Sequence, residues 1–270
     1  MKVALLAPIR SSLYSLAVAQ LVFLEKGVEL VAVLVRSPWS FSRVRSEWRR
    51  DGVRLLRKIA NKWILRDQPA QDSGQEQLLE VIKKLIMEEH DLLTWSQKRD
   101  IPIKSVASFN SPAVLDFLKK VNPDLMLFTG GGLLRKDLLD AAKLGVLNCH
   151  SGWLPQYRGM DVVEWAILQS KGKKPQLGLS LHFMDQGVDT GPVLLQHKVA
   201  LSKGESIESL RARMEGMMPG IMLKGIRSIR DGRLTPRPQQ PGEGRQYFVM
   251  HKRLLMITKK PLNLLQKNTA

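Results

Sequence analysis

Residues 1–35 read MKVALLAPIRSSLYSLAVAQLVFLEKGVELVAVLV, and the order of patterns within them sets the architecture. Residues 2–8 are a short continuous apolar run, the pattern of a strand buried on both faces. Ser11 or Ser12 can then cap a helix, whose apolar run 13–24 stops before Gly27, a residue free to take the left-handed turn that ends helices. Residues 28–35 are a second β-rich run. Strand, helix and strand within 35 residues make a βαβ unit, and so a parallel sheet.

The alternation continues outward. Residues 103–107 read as a strand, Ser111 before Pro112 opens a helix over 113–121, and Pro123 with Asp124 closes it. A strand follows at 125–128, then a tight loop at Gly130, Gly131 and Gly132, a helix over 134–142 and a strand at 146–150. A helix is also expected over 75–98, where Leu78, Leu79, Ile82, Leu85 and Ile86 share one face. The second half predicts a helix at 161–169, strands at 177–184 and 193–201 around a turn-rich 185–192, and an amphipathic helix over 206–230 with Gly216 and Pro219 as candidate breaks. A loop at 237–244 and a short hairpin or strand pair over 246–258 end the reading. The fold class expected is α/β, a doubly wound and mostly parallel sheet. One domain spans 1–236, and 237–270 is an extension too short to fold alone.

Composition bounds the function classes. The 270 residues are 44% hydrophobic and 25% charged, the usage of an ordinary globular chain. A single cysteine, Cys149, excludes internal disulfides and cysteine-rich zinc sites. No charged leader precedes residue 2 and no run approaches the roughly 18 apolar residues of a spanning helix, so a cytoplasmic location is expected. The net charge of +17 favours anionic partners. Nine of the cations fall within 41–67, against three acids, interleaved with Trp48, Leu55, Leu56, Ile59, Trp63 and Ile64. Such a helix either docks on the core by its apolar side or meets an anionic membrane surface, and the basic tail 252–267 could cooperate with it.

Two segments concentrate chemistry: NCHSGWLPQYRG at 148–159 and DQGVDTGP at 185–192. Both follow strands, where loops of an open α/β sheet gather around a ligand crevice. Period-two alternation puts Asn148 and His150 on one strand face and Cys149 on the other, which disfavours a Cys–His nucleophile pair. Ser180 and His182 share a face in the same way, near Asp189. Taken singly, each of these has a bland reading as a cap, a turn residue or a packed histidine. A metal site from His150, His182, Asp185 and Asp189 matches no known ligand spacing.

Asn148-Cys149-His150, then Gly152-Trp153-Leu154-Pro155 and Tyr157-Arg158-Gly159, resembles the signature of the formyltransferases that use 10-formyltetrahydrofolate, and 179–194 resembles their second motif. The resemblance covers roughly 125–201. It implies a Rossmann-like formyltransferase domain over 1–236, without the glycine fingerprint of nicotinamide binding. It further implies Asn148, His150 and Asp189 as the catalytic triad, Gly132, Leu133, Leu134 and Asp185 at the folate, Ser180 and His182 as supporting residues, and no metal. Gly152 stands where the transfer-RNA and purine branches commonly carry serine. The resemblance points to an amino-sugar acceptor linked to a nucleotide, hence a small and anionic amine. Methionyl-tRNA and glycinamide ribonucleotide remain alternatives, as does a basic nucleic-acid-binding protein on this fold, which the intact triad disfavours. A homodimer is compatible with the sequence.

Overall fold

A computed structural model describes residues 1–37, 89–130, 132–233, 235–240, 242–251 and 253–258. The basic segment 41–67, the apolar face expected within 75–86 and most of the tail 252–267 lie outside the described residues.

Seven strands form one sheet in the order β3-β2-β1-β4-β5-β7-β8. They are β1 (Lys2–Ala7), β2 (Glu29–Arg36), β3 (Ile103–Val106), β4 (Leu125–Phe128), β5 (Val146–His150), β7 (Gly178–Phe183) and β8 (Val193–Lys198). The first five run parallel, β7 pairs antiparallel with β5, and β8 pairs antiparallel with β7, so only β7 is reversed in the sheet. The mostly parallel α/β sheet expected from residues 1–35 is therefore present.

Strand alternation divides the core into two layers. Val3, Leu5 and Ala7 pack with α1 (Leu13–Leu24), α2 (Leu92–Gln97), α5 (Val162–Ser170) and α6 (Ile207–Arg230). Ala4 and Leu6 face α3 (Pro112–Val121) and α4 (Lys136–Leu139) on the other side. Helix α1 starts where Ser12 Oγ accepts the Ser15 N–H at 3.2 Å, so Ser12 is the cap rather than Ser11. The chain turns outward in opposite directions from β1 and β4, so the crevice of the switch point opens beyond their carboxyl ends.

Four expectations change. The helix expected over 134–142 is only α4, because the chain must turn through 142–145 into β5, with Gly145 at φ +90°. The described end of the helix expected over 75–98 is a separate short helix: Asp91 is extended at φ −144° and caps α2 with its own carboxylate. Helix α6 continues through Gly216 and Pro219, since Leu210 and Met214 before the proline and Ile221, Met222 and Ile226 after it are all buried on one layer. Gly225 permits this closeness, as a Cβ there would lie 2.0 Å from Leu181 Cδ2. The hairpin expected over 246–258 does not form. Residues Arg245–Tyr247 (β9) pair in parallel with Tyr157–Gly159 (β6), and 253–258 are helical. Tyr247 stacks between Tyr157 and Trp165, at 5.5 and 5.4 Å between ring centres, which buries an aromatic that a solvent-facing hairpin would expose.

Candidate active site

The antiparallel register of β5 and β7 sets Asn148 opposite His182 and His150 opposite Ser180. Cys149, between them, packs into the core layer that holds α1 and α6. Burial pushes its thiol well above the usual range, away from a reactive thiolate.

Asp189 enters from the loop after β7. Its backbone is left-handed at φ +54°, a conformation short polar side chains tolerate. Its two oxygens divide between the histidines: Oδ2 lies 3.5 Å from His150 Nδ1 and Oδ1 lies 3.5 Å from His182 Nε2. The Gly159 N–H also donates to Oδ2 at 2.8 Å. Burial would raise this carboxyl, but His150, His182 and the Gly159 N–H together hold it down at about 2. From below, Gln239 Nε2 donates to the carbonyls of Asp189 and Gly191 at 2.9 and 2.7 Å.

Backbone carbonyls settle where the ring protons sit. His150 Nε2 lies 2.9 Å from the Tyr157 carbonyl and His182 Nδ1 lies 2.9 Å from the Phe183 carbonyl. A carbonyl only accepts, so each of those nitrogens carries a proton. His182 Nε2 lies 3.1 Å from Asn148 Nδ2 and 3.5 Å from Asp189 Oδ1. The contact holds the Asn148 amide beside the His182 ring and the Asp189 carboxylate. Burial lowers the His150 imidazole below its usual value, against the opposing pull of Asp189 and the Tyr157 carbonyl. A second proton on His150 goes to Nδ1, facing Asp189.

Gly152 lies against this ring. A Cβ there would come within 2.5 Å of His150 Nε2 and of the Tyr157 carbonyl oxygen. Ser180 is fully buried and acts on the loop rather than on His150: its hydroxyl donates to the Gly152 carbonyl at 2.7 Å and accepts from the Leu154 N–H at 3.0 Å.

Asn148 and His150 line a cavity of about 360 Å³ with Tyr14, Thr129, Gly130, Arg211 and Glu215, and Cys149 also reaches its wall from the α1–α6 side. Arg211 is held by Glu164 at 2.6 Å and Asp161 at 3.5 Å. Tyr14, Arg211 and Glu215 carried no signal in the sequence, because they come from the faces of α1 and of the first half of α6. A second cavity, of about 320 Å³, lies beside Asp185 and is walled by Leu139, Gly145, Met184 and Gln186. Asp185 itself steadies its loop through the Gly187 N–H and the Thr190 hydroxyl. Of the glycine-loop residues, Gly132 lies beside Arg36, Leu133 is exposed, and Leu134 is buried in the α3–α4 layer. Asn110 pins that loop through the Leu133 carbonyl and the Arg135 N–H. No cluster of three or more metal-ligating side chains occurs among the described residues.

A protein-family model described as formyl transferase matches residues 1–226. The methionyl-tRNA formyltransferase of Pelobacter propionicus is 32% identical over 141 residues, which are 52% of this chain and 43% of that protein. The chain spans about half the length of the curated relatives it matches. Glycinamide ribonucleotide transformylase 1 from Symbiobacterium toebii has the same fold, with a TM-score of 0.58 at 19% identity over 89% of this chain and 94% of its own. So does the formyltransferase PseJ from Anoxybacillus kamchatkensis, solved with UDP-4,6-dideoxy-4-formamido-L-AltNAc and tetrahydrofolate. Its TM-score is 0.50 at 20% identity, over 64% of this chain and 91% of its own.

Proposed function

We propose that this chain, which belongs to the formyl transferase family, moves the formyl group of 10-formyltetrahydrofolate to a primary amine carried on a nucleotide-linked sugar. The observation that carries the reaction is the Asp189 carboxylate, held ionised between two imidazoles whose far nitrogens are committed to carbonyls.

The residues divide the work. The side-chain N–H of Asn148 supports the formyl oxygen as negative charge develops on it in the tetrahedral intermediate. Asp189 accepts the proton that the attacking amine must lose. His150 Nδ1 is next to that carboxylate and takes the proton on, so the His150–Asp189 pair can return it to the departing folate nitrogen. The new bond joins the amine to the formyl carbon, and the bond to the folate nitrogen breaks. No net proton is consumed.

The two cavities suit the two substrates. The one with Asn148 and His150 takes the acceptor: Glu215 accepts from sugar hydroxyls, and Arg211, already balanced by Glu164 and Asp161, leaves no uncompensated cation among the described lining residues for a monophosphate. The folate ring lies between the Gly132–Leu134 loop and the Asp185–Asp189 loop, next to the cavity that Leu139 and Met184 wall beside Asp185. The anionic character of the acceptor then belongs to its nucleotide end. The test is transfer from 10-formyltetrahydrofolate to three acceptors, a UDP-linked 4-amino sugar, glycinamide ribonucleotide and methionyl-tRNA, read by product mass. Formylation of the sugar alone is expected. Formylation of either other acceptor in its place overturns the sugar assignment.

Two substitutions probe the placement. Gly132 sits at φ +110° and a Cβ there would lie 2.9 Å from Arg36 Nη1, so Gly132→Phe should distort the loop and weaken tetrahydrofolate binding about tenfold or more in calorimetry. Unchanged affinity removes the loop from the folate site. Cys149→Ala should keep transfer within about threefold of wild type while lowering stability by about 1 kcal/mol, since the thiol, although it touches the wall of the Asn148–His150 cavity, is kept protonated by burial and serves as packing. A large loss of turnover in a well-folded Cys149→Ala protein contradicts the strand-face assignment.

A further inference from the structure

The β6–β9 pair carries an exposed apolar edge that the reaction does not use. Beside buried Tyr247, Phe248 is 71% exposed and Val249 64% exposed. Met160, joined to Tyr247 through its N–H, is also exposed. Trp165 Nε1 holds the Phe248 carbonyl at 2.9 Å, so the backbone behind the protruding side chains is fixed. A helical turn follows, exposing Met256 and Ile257. Arg245 and Arg253 are exposed in the same stretch, and residues 244–270 hold six cations and no Asp or Glu.

Adjacent large apolar groups on a monomer mark a contact surface. The occupant must be both apolar and negatively charged. A second copy of this chain fits poorly, because it would bring one net-positive stretch, with no Asp or Glu over 244–270, against another of the same charge. RNA supplies phosphates, but gains little from valine, methionine and isoleucine. A lipid surface with anionic headgroups supplies both.

We propose that this edge, with Phe248, Val249 and Met160 inserted and Arg245 and Arg253 at the headgroups, docks the protein on an anionic membrane surface. The site is oriented by it. The Met250 N–H donates to Asp161 at 2.8 Å, and Asp161 with Glu164 holds Arg211, a wall of the cavity that contains Asn148 and His150. The docked edge is thereby linked to a wall of that cavity through one hydrogen bond and one ion pair. The docking does not depend on which acceptor is formylated.

The test is co-sedimentation of the full chain with vesicles of phosphatidylcholine containing about 30% phosphatidylglycerol, against pure phosphatidylcholine, at low and physiological salt. Binding to the anionic vesicles that weakens with salt is expected. The Phe248→Ser/Val249→Ser double variant should lower the bound fraction about tenfold or more with an unchanged melting temperature, and Arg245→Glu/Arg253→Glu should lower it comparably. Absence of binding to anionic vesicles overturns the proposal. So does binding that neither double variant alters, because the contact then lies elsewhere. A wild-type dimer in sedimentation velocity that the serine variant converts to monomer assigns the edge to a second copy and equally overturns it.

Discussion

Asp189→Asn should lower transfer at least about a hundredfold while leaving the fold intact. Asparagine tolerates the left-handed backbone at 189 and keeps the size of the side chain, so the change removes charge and basicity without adding strain. Asn148→Ala and His150→Ala should cost a similar factor, the first through the formyl oxygen and the second through the proton path. Steady-state kinetics with melting curves separates chemistry from folding. Near-wild-type turnover in any well-folded variant removes that residue from the mechanism. The same carboxylate sets an acid dependence. Its folded value of about 2 lies below the unfolded value near 4, so its contribution, about 2 kcal/mol, is complete above pH ~4 and fades as the pH falls toward ~2. Buried His150, lowered from its usual value, adds a loss in the same direction that begins as the pH falls through ~6.5. Urea unfolding of wild type and Asp189→Asn should therefore converge in stability between about pH 4 and pH 2. A constant gap across that window contradicts the ionised, paired carboxylate.

Gly159→Val should be as damaging by another route. Gly159 has φ +96°, and a Cβ there would lie 2.1 Å from the Tyr247 carbonyl oxygen, a backbone atom that cannot swing aside. Relief requires β6 and β9 to part, which withdraws the Gly159 N–H from Asp189 and frees the Tyr157 carbonyl that holds His150. Transfer should fall about a hundredfold or more and the melting temperature should drop, with the left-handed backbone alone costing about 1–2 kcal/mol. Gly220→Ala in α6, where nothing lies within 4 Å of an added Cβ, is the matched control and should be neutral or slightly stabilising. Full activity in Gly159→Val would show that Asp189 is positioned without this strand pair.

The site was readable to the extent that it is local. Alternation alone placed Asn148 and His150 together and Cys149 away from them, and the register of β5 with β7 adds the partners His182 and Ser180. Asp189 was visible as a turn residue with a second motif around it. What it touches was not visible, because His150 and Gly159 lie 39 and 30 residues earlier and reach it through a loop closure. Tyr14, Arg211 and Glu215 could not be singled out, since a helix face gives the same pattern whether it borders core or cavity. The mistaken hairpin over 246–258 has the same origin: Arg245–Tyr247 is too short to name its partner, and the pairing with Tyr157–Gly159 is decided by stacked aromatics 90 residues apart.

The sequence by itself determined the α/β class, the parallel order of its first half and the two motifs, because periodicity, caps and prolines act within a few residues of where they stand. Tertiary structure alone decided that α6 runs straight past Pro219, that Ser180 grips a loop rather than a histidine, and that one carboxylate is shared by two imidazoles. The physical reason is one of range. A proton's position on His150 or His182 depends on carbonyls and a carboxylate fixed within about 3 Å, and only the closed sheet brings them that near.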